Sequence, residues 1–194
     1  MIKSLPSELL RALRLTLVFA IFTGLVYGVG MTGIIQVLFH DQANGSLVMV
    51  NGQIVGSSLI GQNFSADKYF QGRWSANSYD ASNSYGSNLG PSNQQLIDRA
   101  ASSARTYRQA NGLDPNAQVP VDAVTGDFSG LDPNITEANA LLQVNRIAHA
   151  RNLDPAKVRA LVEKYKHGRI LWLFGEEYVN VLEVNLALDR GEAG

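Results

Sequence analysis

An uncharged stretch of 25 residues, from Leu15 to Phe39, constrains this chain more than any other feature of its sequence. As a helix it is about 37 Å long at roughly 1.5 Å per residue, which exceeds the ~30 Å hydrocarbon core of a bilayer. The core helix of a soluble protein rarely stays apolar on every face over such a length. The stretch therefore predicts a transmembrane helix over residues 15–39, with some tilt.

A cleaved signal peptide is the other interpretation of this stretch. The apolar region of a signal peptide is usually about 7–15 residues long and ends at a cleavage site with small residues. Gly28 and Gly30 offer such a site, but they lie inside the apolar stretch. We therefore expect the helix to be retained as a membrane anchor.

The basic residues around the stretch predict its orientation. Lys3, Arg11 and Arg14 precede it, whereas the next Lys or Arg after it is Lys68. Positively charged flanks stay on the cytoplasmic side of a membrane. We expect residues 1–14 to be a short cytoplasmic N-terminus and residues 40–194 to be one extracytoplasmic domain.

Small side chains recur at every fourth residue of the predicted membrane helix. Small residues let a second helix approach closely, which favours helix association in lipid. Gly and Ala are also common in membrane helices in general, and a four-residue spacing drifts by about 40° per step on a helix of 3.6 residues per turn. We interpret the stripe as a docking face for another membrane helix, formed by Thr16, Ala20, Gly24, Gly28 and Thr32.

The part of the chain after the membrane helix predicts both strands and irregular segments. Asn51-Gly52 lies between β-forming residues, which is the strongest short-range signal for a hairpin. Residues 75–93 are rich in Ser and Asn and are expected to form a surface loop. The segment 119–136 mixes β-branched residues with Gly and Pro, which predicts a short strand followed by a tight loop.

Three helices are predicted from their start signals. Ser92 with Gln95 forms a capping box for the first helix. Thr136 opens the second, and the third has Asp154 as its N-cap and Pro155 at its first helical position.

The third helix, the best defined of the three, also has a stop signal, whereas the tail is ambiguous. Gly168 is expected to end the third helix. Residues 179–189 fit the face of a helix and also the alternation of a strand, and their Leu, Glu and Ala favour a helix that Gly191 caps. The predicted fold class is α+β, with one N-terminal transmembrane helix followed by a single mixed α/β extracytoplasmic domain.

Composition and motifs argue against several classes of function. The net charge of -1 gives no basic surface for nucleic acid. The chain has no cysteine, no glycine-rich phosphate loop and no Asp-Lys-Thr-Gly phosphorylation motif. Ser129, His149 and Asp154 lack the surroundings of a catalytic triad, and the three histidines are too scattered for a metal site. We expect neither a catalytic residue nor a metal ligand.

Six segments of the chain, in order, resemble the C subunit of the bacterial Kdp-type potassium-transporting P-type ATPase. Together they cover nearly the whole chain, although none of them is a catalytic signature. They are QANGSL at 42–47, GSSLIGQNF at 56–64, YFQGRWSA at 69–76, SNLGPSN at 87–93, SGLDPNIT at 129–136 and VNVLEVNLALD at 179–189.

The resemblance implies a non-catalytic subunit of a high-affinity potassium import complex in the bacterial inner membrane. The implied partners are a channel-like potassium-binding subunit, the P-type ATP-hydrolysing subunit and a small single-span subunit. Potassium and ATP would be handled by the complex, and this chain is expected to hold no cofactor of its own.

Members of the family are described as assembly factors or catalytic chaperones that raise the ATP affinity of the hydrolysing subunit. A domain outside the cytoplasm cannot touch a cytoplasmic nucleotide directly. We therefore expect coupling through the membrane helix, or a role at the external potassium entrance.

Two of the resembling segments are candidate partner-facing or ion-facing sites. They are Gln62, Asn63 and Phe64, and the run Ser129, Gly130, Leu131 and Asp132. Simple loop geometry is the other interpretation, because Gly and Asp-Pro build turns.

The sequence departs from the family pattern at two positions, where Trp74 and Asn145 each replace a usual Pro. Trp74 in place of Pro leaves the conformation of the local turn unpredicted. Asn145 in place of Pro lets the helix that starts at 136 continue. A membrane-anchored extracytoplasmic enzyme and a stand-alone binding domain remain alternatives to a pump subunit.

Overall fold

A computed structural model of the chain describes residues 5–194, which divide into two compact units. The first unit ends at Ser46, and the second is Leu47–Gly194. The mixed α/β class predicted for the chain is confirmed. Lys3, which contributed to the predicted orientation, lies outside the described residues.

The first unit is helical almost throughout. Helix α1 (Leu5–Ala20) continues into a π-helical segment (Ile21–Tyr27) and then into α2 (Gly28–Leu38), and a short α3 (His40–Ala43) follows. The run Pro6–Leu38 is 33 residues long and is sufficiently apolar to cross a membrane. The predicted N-terminal apolar helix is therefore confirmed, and its large apolar side chains are exposed.

The second unit begins with the predicted hairpin. Strands β1 (Leu47–Val50) and β2 (Gln53–Ser57) pair antiparallel with one bulge. Asn51 and Gly52 have φ angles of 51° and 77°, as a type I′ turn requires.

The second unit contains four helices: α4 (Gln94–Ala110), α5 (Glu137–Arg151), α6 (Pro155–Lys164) and α7 (Val181–Asp189). The predicted N-caps of α5 and α6 are confirmed, because Thr136 accepts from the amide of Asn139 and Asp154 from that of Ala156. The predicted cap of α4 is wrong by one residue. Asn93, not Ser92, accepts from the amide of Gln95, since an Asn side chain readily bonds the backbone two residues ahead.

A small antiparallel sheet lies beside these helices. Its strand order is β3 (Asn134–Ile135), β5 (Tyr178–Asn180) and β4 (Lys166–His167). The predicted strand early in 119–136 is wrong, because a 3₁₀ turn (Val121–Ala123) comes there and the strand comes at the end.

The predicted end of α6 is also wrong, because β4 pairs with β5. The helix stops at Lys164 rather than at Gly168, because the next residues leave it to form β4. The helical interpretation of the tail is confirmed by α7, which begins at Val181, whereas the first two residues of the tail belong to β5.

The hydrophobic core lies between α5, α6, α7 and the central strand. Residues from these elements are almost fully buried, and Phe70 joins them from the irregular segment that precedes α4. They include Ile135, Val144, Ile147, Val158, Val162, Val179 and Val184.

Two matched capping variants test how firmly α7 is fixed. Asn180 accepts from the amides of Leu182 and Glu183 and donates to the carbonyl of Ser58 at 2.8 Å, and it is buried. Asp154 caps α6 from an exposed position. We expect Asn180→Ala to cost about 1–3 kcal/mol of unfolding free energy and Asp154→Ala about 1 kcal/mol or less. Urea unfolding of the full chain in detergent measures both, and an equal loss would contradict the role of the Asn180 contacts.

Candidate functional site

The most distinctive feature of the second unit is a buried polar face on α5. Asn139, Gln143 and Arg146 lie at positions i, i+4 and i+7, which share one side of a helix. All three are buried. Sequence analysis missed this face, although the same spacing was visible as a polar stripe beside the apolar one.

Side-chain amides from two helices hold the backbone of residues 70 and 71. Asn185 of α7 accepts from the Phe70 amide at 2.8 Å and donates to its carbonyl at 2.9 Å. Gln143 of α5 makes the same pair of bonds with Gln71, at 2.8 and 3.1 Å. The two side-chain amides thus take the place of the backbone partners that an adjacent β-strand would supply. The backbone groups of residues 70 and 71 therefore keep their hydrogen bonds although they lie inside the unit.

Arg146 connects two further segments to this face. It donates to Asn111 Oδ1 at 3.0 Å, to Gln143 Oε1 at 2.8 Å, and to the carbonyls of Asp67 and Tyr69. Burial lowers the pKa of Arg146, and the charge of Asp67 opposes that shift. All of these hydrogen-bond acceptors are neutral. Through them the guanidinium holds the loop residues 67–69 and the end of α4 against α5.

The other end of the face is organised by Asp122. Its carboxylate accepts from the amide and hydroxyl of Thr136 at 2.8 and 3.1 Å, and from Asn139 Nδ2 at 3.0 Å. A negative charge at this place also suits the N-terminus of α5. Tyr107 donates its hydroxyl to Asn139 Oδ1 at 2.8 Å. Burial, and then the charge of Asp122, raises the pKa of Tyr107.

A cleft of about 270 Å³ opens beside Tyr107 and Asn139, and one of about 440 Å³ beside Arg146 and His149. The first is below and the second is within the ~300–1,000 Å³ usual for small-molecule sites. Among residues 5–194, no group of three or more His, Asp and Glu side chains is arranged to hold a metal ion. The hydrogen bonds of the buried polar face hold segments of the unit together.

The three side chains considered as a triad have separate roles. The Ser129 hydroxyl donates to Asp127, and Asp154 caps α6. His149 is exposed near the end of α5.

The two segments proposed from the sequence as partner-facing or ion-facing lie next to each other. The amide of Gly61 donates to the carbonyl of Leu131 at 2.7 Å, and Gly61 packs so closely on Asp132 that a Cβ would lie 2.6 Å from its carbonyl oxygen. Arg73 forms an ion pair with Asp132 at 3.0 Å. The fold thus brings together two segments that are some 70 positions apart in the sequence.

Most of these seven residues make contacts within the unit. Gln62 Nε2 donates to the carbonyl of Val55, and the ring of Phe64 packs edge-on against Tyr69. Gly130 has a φ angle of 71° and is buried, whereas Asn63 is exposed. Their contact with a partner or an ion remains a prediction, and Asn63 is the side chain most open to it.

In the first unit, the predicted docking stripe runs through all three parts of the long helix. The hydroxyl of Thr32 donates to the carbonyl of Gly28 at 2.8 Å, which ties two members of the stripe together. Gly24 lies in the π-helical segment. A π turn is wider than an α turn, so residues four apart lie closer to one line there than on a regular helix. Its role in docking remains a prediction.

Comparison with known proteins decides the family. The family model for KdpC, described as the c chain of K+-transporting ATPase, matches residues 9–190. The chain belongs to the KdpC family. The resemblance seen in the sequence is therefore confirmed.

Several KdpC subunits of potassium-transporting ATPases are similar to this chain over most of its length. That of Mycobacterium tuberculosis is 50% identical over 185 residues, which cover 94% of this chain and 98% of the relative. That of Paraburkholderia xenovorans is 49% identical over 183 residues, covering 93% and 95%. That of Gloeobacter violaceus is 49% identical over 183 residues, covering 94% and 95%.

The two departures from the KdpC pattern have visible structural counterparts. Trp74 stacks on the guanidinium of Arg99, whose Cζ lies 4.2 Å from the ring centroid, and packs against Gly126. Asn145 lies exposed in the middle of α5, which runs without interruption to Arg151, as its sequence predicts.

A Tyr107→Phe variant tests the electrostatics of the buried face. At pH 7 it should be less stable by about 1 kcal/mol, because one hydrogen bond to Asn139 is lost. The pKa of Tyr107 is raised in the folded state, so the fold favours the neutral hydroxyl. The contribution of this hydroxyl to the free energy of unfolding is therefore complete below the unfolded pKa of 10.0 and is lost as the pH rises towards the folded pKa. The advantage of the wild type over the variant should therefore shrink above pH 10.

Urea unfolding of the full chain at pH 7 and above pH 10 measures this difference. Tyr85→Phe is the matched control, since Tyr85 is exposed and should show no such change. A gap between wild type and Tyr107→Phe that stays constant with pH would contradict the assignment.

Proposed function

We propose that this chain is a non-catalytic accessory subunit of an ATP-driven, high-affinity potassium import complex. The observation that carries the proposal is the match to the KdpC family over residues 9–190. The 33-residue apolar helix Pro6–Leu38 supports it, because a helix with its apolar side chains exposed needs lipid or a partner to cover them.

The chain crosses the bacterial inner membrane once, with its N-terminus in the cytoplasm and its second unit outside. Arg11 and Arg14 support this orientation, since both precede the most apolar part of the helix and both are exposed. The nearest basic residue on the other side is Lys68, well inside the second unit.

The partners are the channel-like potassium-binding subunit, the P-type ATP-hydrolysing subunit and the small single-span subunit. The stripe Thr16, Ala20, Gly24, Gly28 and Thr32 docks against a membrane helix of one of them. The open space around Gly24 and Gly28 supports this step, because no side chain of the described residues 5–194 fills it.

The chain supports assembly and promotes the ATP affinity of the hydrolysing subunit without binding the nucleotide itself. In the proposed orientation only the short N-terminal segment and the helix can transmit an effect to the cytoplasm. Coupling therefore runs through the position of the helix, while ATP and potassium are bound by other subunits.

The paired loops around Gly61 and Leu131 face a partner or the potassium entrance. Their proximity supports this assignment, since the hydrogen bond between the Gly61 amide and the Leu131 carbonyl brings the 62–64 and 129–132 segments side by side. The ion pair of Arg73 with Asp132 and the contacts of Gly130 fix the surface in place.

Replacing Gly24 and Gly28 together by Leu tests the proposal. Apart from the helix's own backbone and the flanking residues, no described atom lies within 4 Å of a Cβ at either position, so the helix itself should tolerate the added side chains. They would keep a second helix from close approach. We expect the variant to insert into membranes normally but to lose most of its co-purification with the other subunits in mild detergent.

The control is the double variant Gly30→Leu and Gly33→Leu, which adds the same bulk to the same helix away from the stripe. Those two glycines also have open space around them. Control and wild type should bring down the complex alike. If the wild type itself purified alone, the assignment to a pump would fall; if both double variants assembled normally, the stripe would not be the docking face.

A further inference from the structure

An exposed apolar tip connects β4 and β5. It consists of residues 170–174, Ile-Leu-Trp-Leu-Phe, and their exposed fractions run from 60% for Phe174 to 91% for Trp172. Five consecutive large apolar side chains in water are unfavourable, and such a patch on a folded protein marks an interaction site. The core cluster contains none of the five, so internal packing does not account for them.

The backbone of the tip is held in an uncommon conformation. Leu171 and Trp172 have φ angles of 52° and 58°, in the left-handed region that bulky residues rarely adopt. Ile170 and Phe174 close the turn by exchanging both backbone hydrogen bonds at 2.9 Å. Strain of this kind persists where the surrounding structure enforces it, and it is concentrated at functional sites.

The hydrogen bonding and charges of the tip suit a lipid environment. The amides of Ile170, Trp172, Leu173 and Phe174 all donate to carbonyls within residues 169–174. An apolar medium requires such internal pairing of backbone groups. The nearest charged residues, Arg169 and Glu176, stand at the base of the tip rather than within it. Trp is the side chain most typical of the membrane–water interface.

The chain also keeps the second unit close to a membrane surface. Helix α3 ends at Ala43 and β1 begins at Leu47, so that three residues join them. Three extended residues span only about 11 Å. If the helix crosses the bilayer, as the proposed function requires, this short connection keeps the start of β1 near the surface of that bilayer.

We propose that residues 170–174 insert into the interfacial layer of the membrane in which the helix is anchored. The occupant of the exposed apolar surface is then lipid, and the tip is a second attachment of the domain to the bilayer. A fluid layer covers all five side chains of a narrow turn at once, whereas a protein partner would need a pocket shaped to enclose them. Insertion to a depth of about 5–10 Å is expected for an interfacial element.

The two tryptophans of the chain allow a direct test on the full-length protein. In Trp74→Phe, Trp172 is the only indole and reports on the tip. In Trp172→Phe, the only indole is Trp74, which stacks on Arg99, and this variant is the matched control. Both are reconstituted into vesicles that contain phospholipids brominated in the upper part of the acyl chains, and the emission is compared with that in unbrominated vesicles.

We expect bromine to remove most of the Trp172 emission and to leave Trp74 emission nearly unchanged. Trp172 that is unquenched by bromine and fully open to aqueous iodide would overturn the proposal. Trp172 that is shielded from both quenchers would overturn it in favour of a protein contact. Extraction of the same vesicles with alkaline carbonate separates the two failures, because release of the chain would refute the membrane anchor itself, whereas retention without quenching refutes only the tip.

Discussion

Two side-chain amides hold the second unit together at its centre. Asn185 and Gln143 each bond both backbone groups of one residue, Phe70 and Gln71, from two different helices. An irregular segment is thereby buried without leaving backbone groups unpaired. The Phe70 ring enters the core as a result, and Arg146 fastens the residues just before it. Because the two helices follow this segment by some 70 to 115 positions, its burial depends on contacts that are distant in the sequence.

The two units cover their apolar surface in different ways. The second unit has a core of its own between α5, α6 and α7. The first unit exposes nearly all of its apolar side chains and contributes none to that core. Membership of the KdpC family is shown by the match over residues 9–190. In the proposed function, lipid and a neighbouring subunit cover the apolar side chains of the helix.

Local signals in the sequence were sufficient for much of the fold. Asn51-Gly52 predicted the hairpin, Asp154-Pro155 the start of α6, and the apolar stretch the long helix, because each depends on neighbours within a few residues. The three-stranded sheet was not predictable in this way, since its strands are only two or three residues long and β3 is set by pairing with β5 some 45 positions along the chain. The same holds for the buried polar face: Gln143 and Asn185 look like surface residues until their distant backbone partners are known. The resemblance located the paired loops, but only the fold shows that they touch.

The most direct test of the account is the side of the membrane on which the second unit lies. The chain has no cysteine, so a single introduced cysteine reports its own position. Ser7→Cys precedes the most apolar part of the helix, and Ala138→Cys lies exposed in the first turn of α5. With a membrane-impermeant maleimide on right-side-out vesicles, Ala138→Cys should be labelled at once and Ser7→Cys only after permeabilisation. Labelling in the reverse order would place the domain in the cytoplasm and contradict the account.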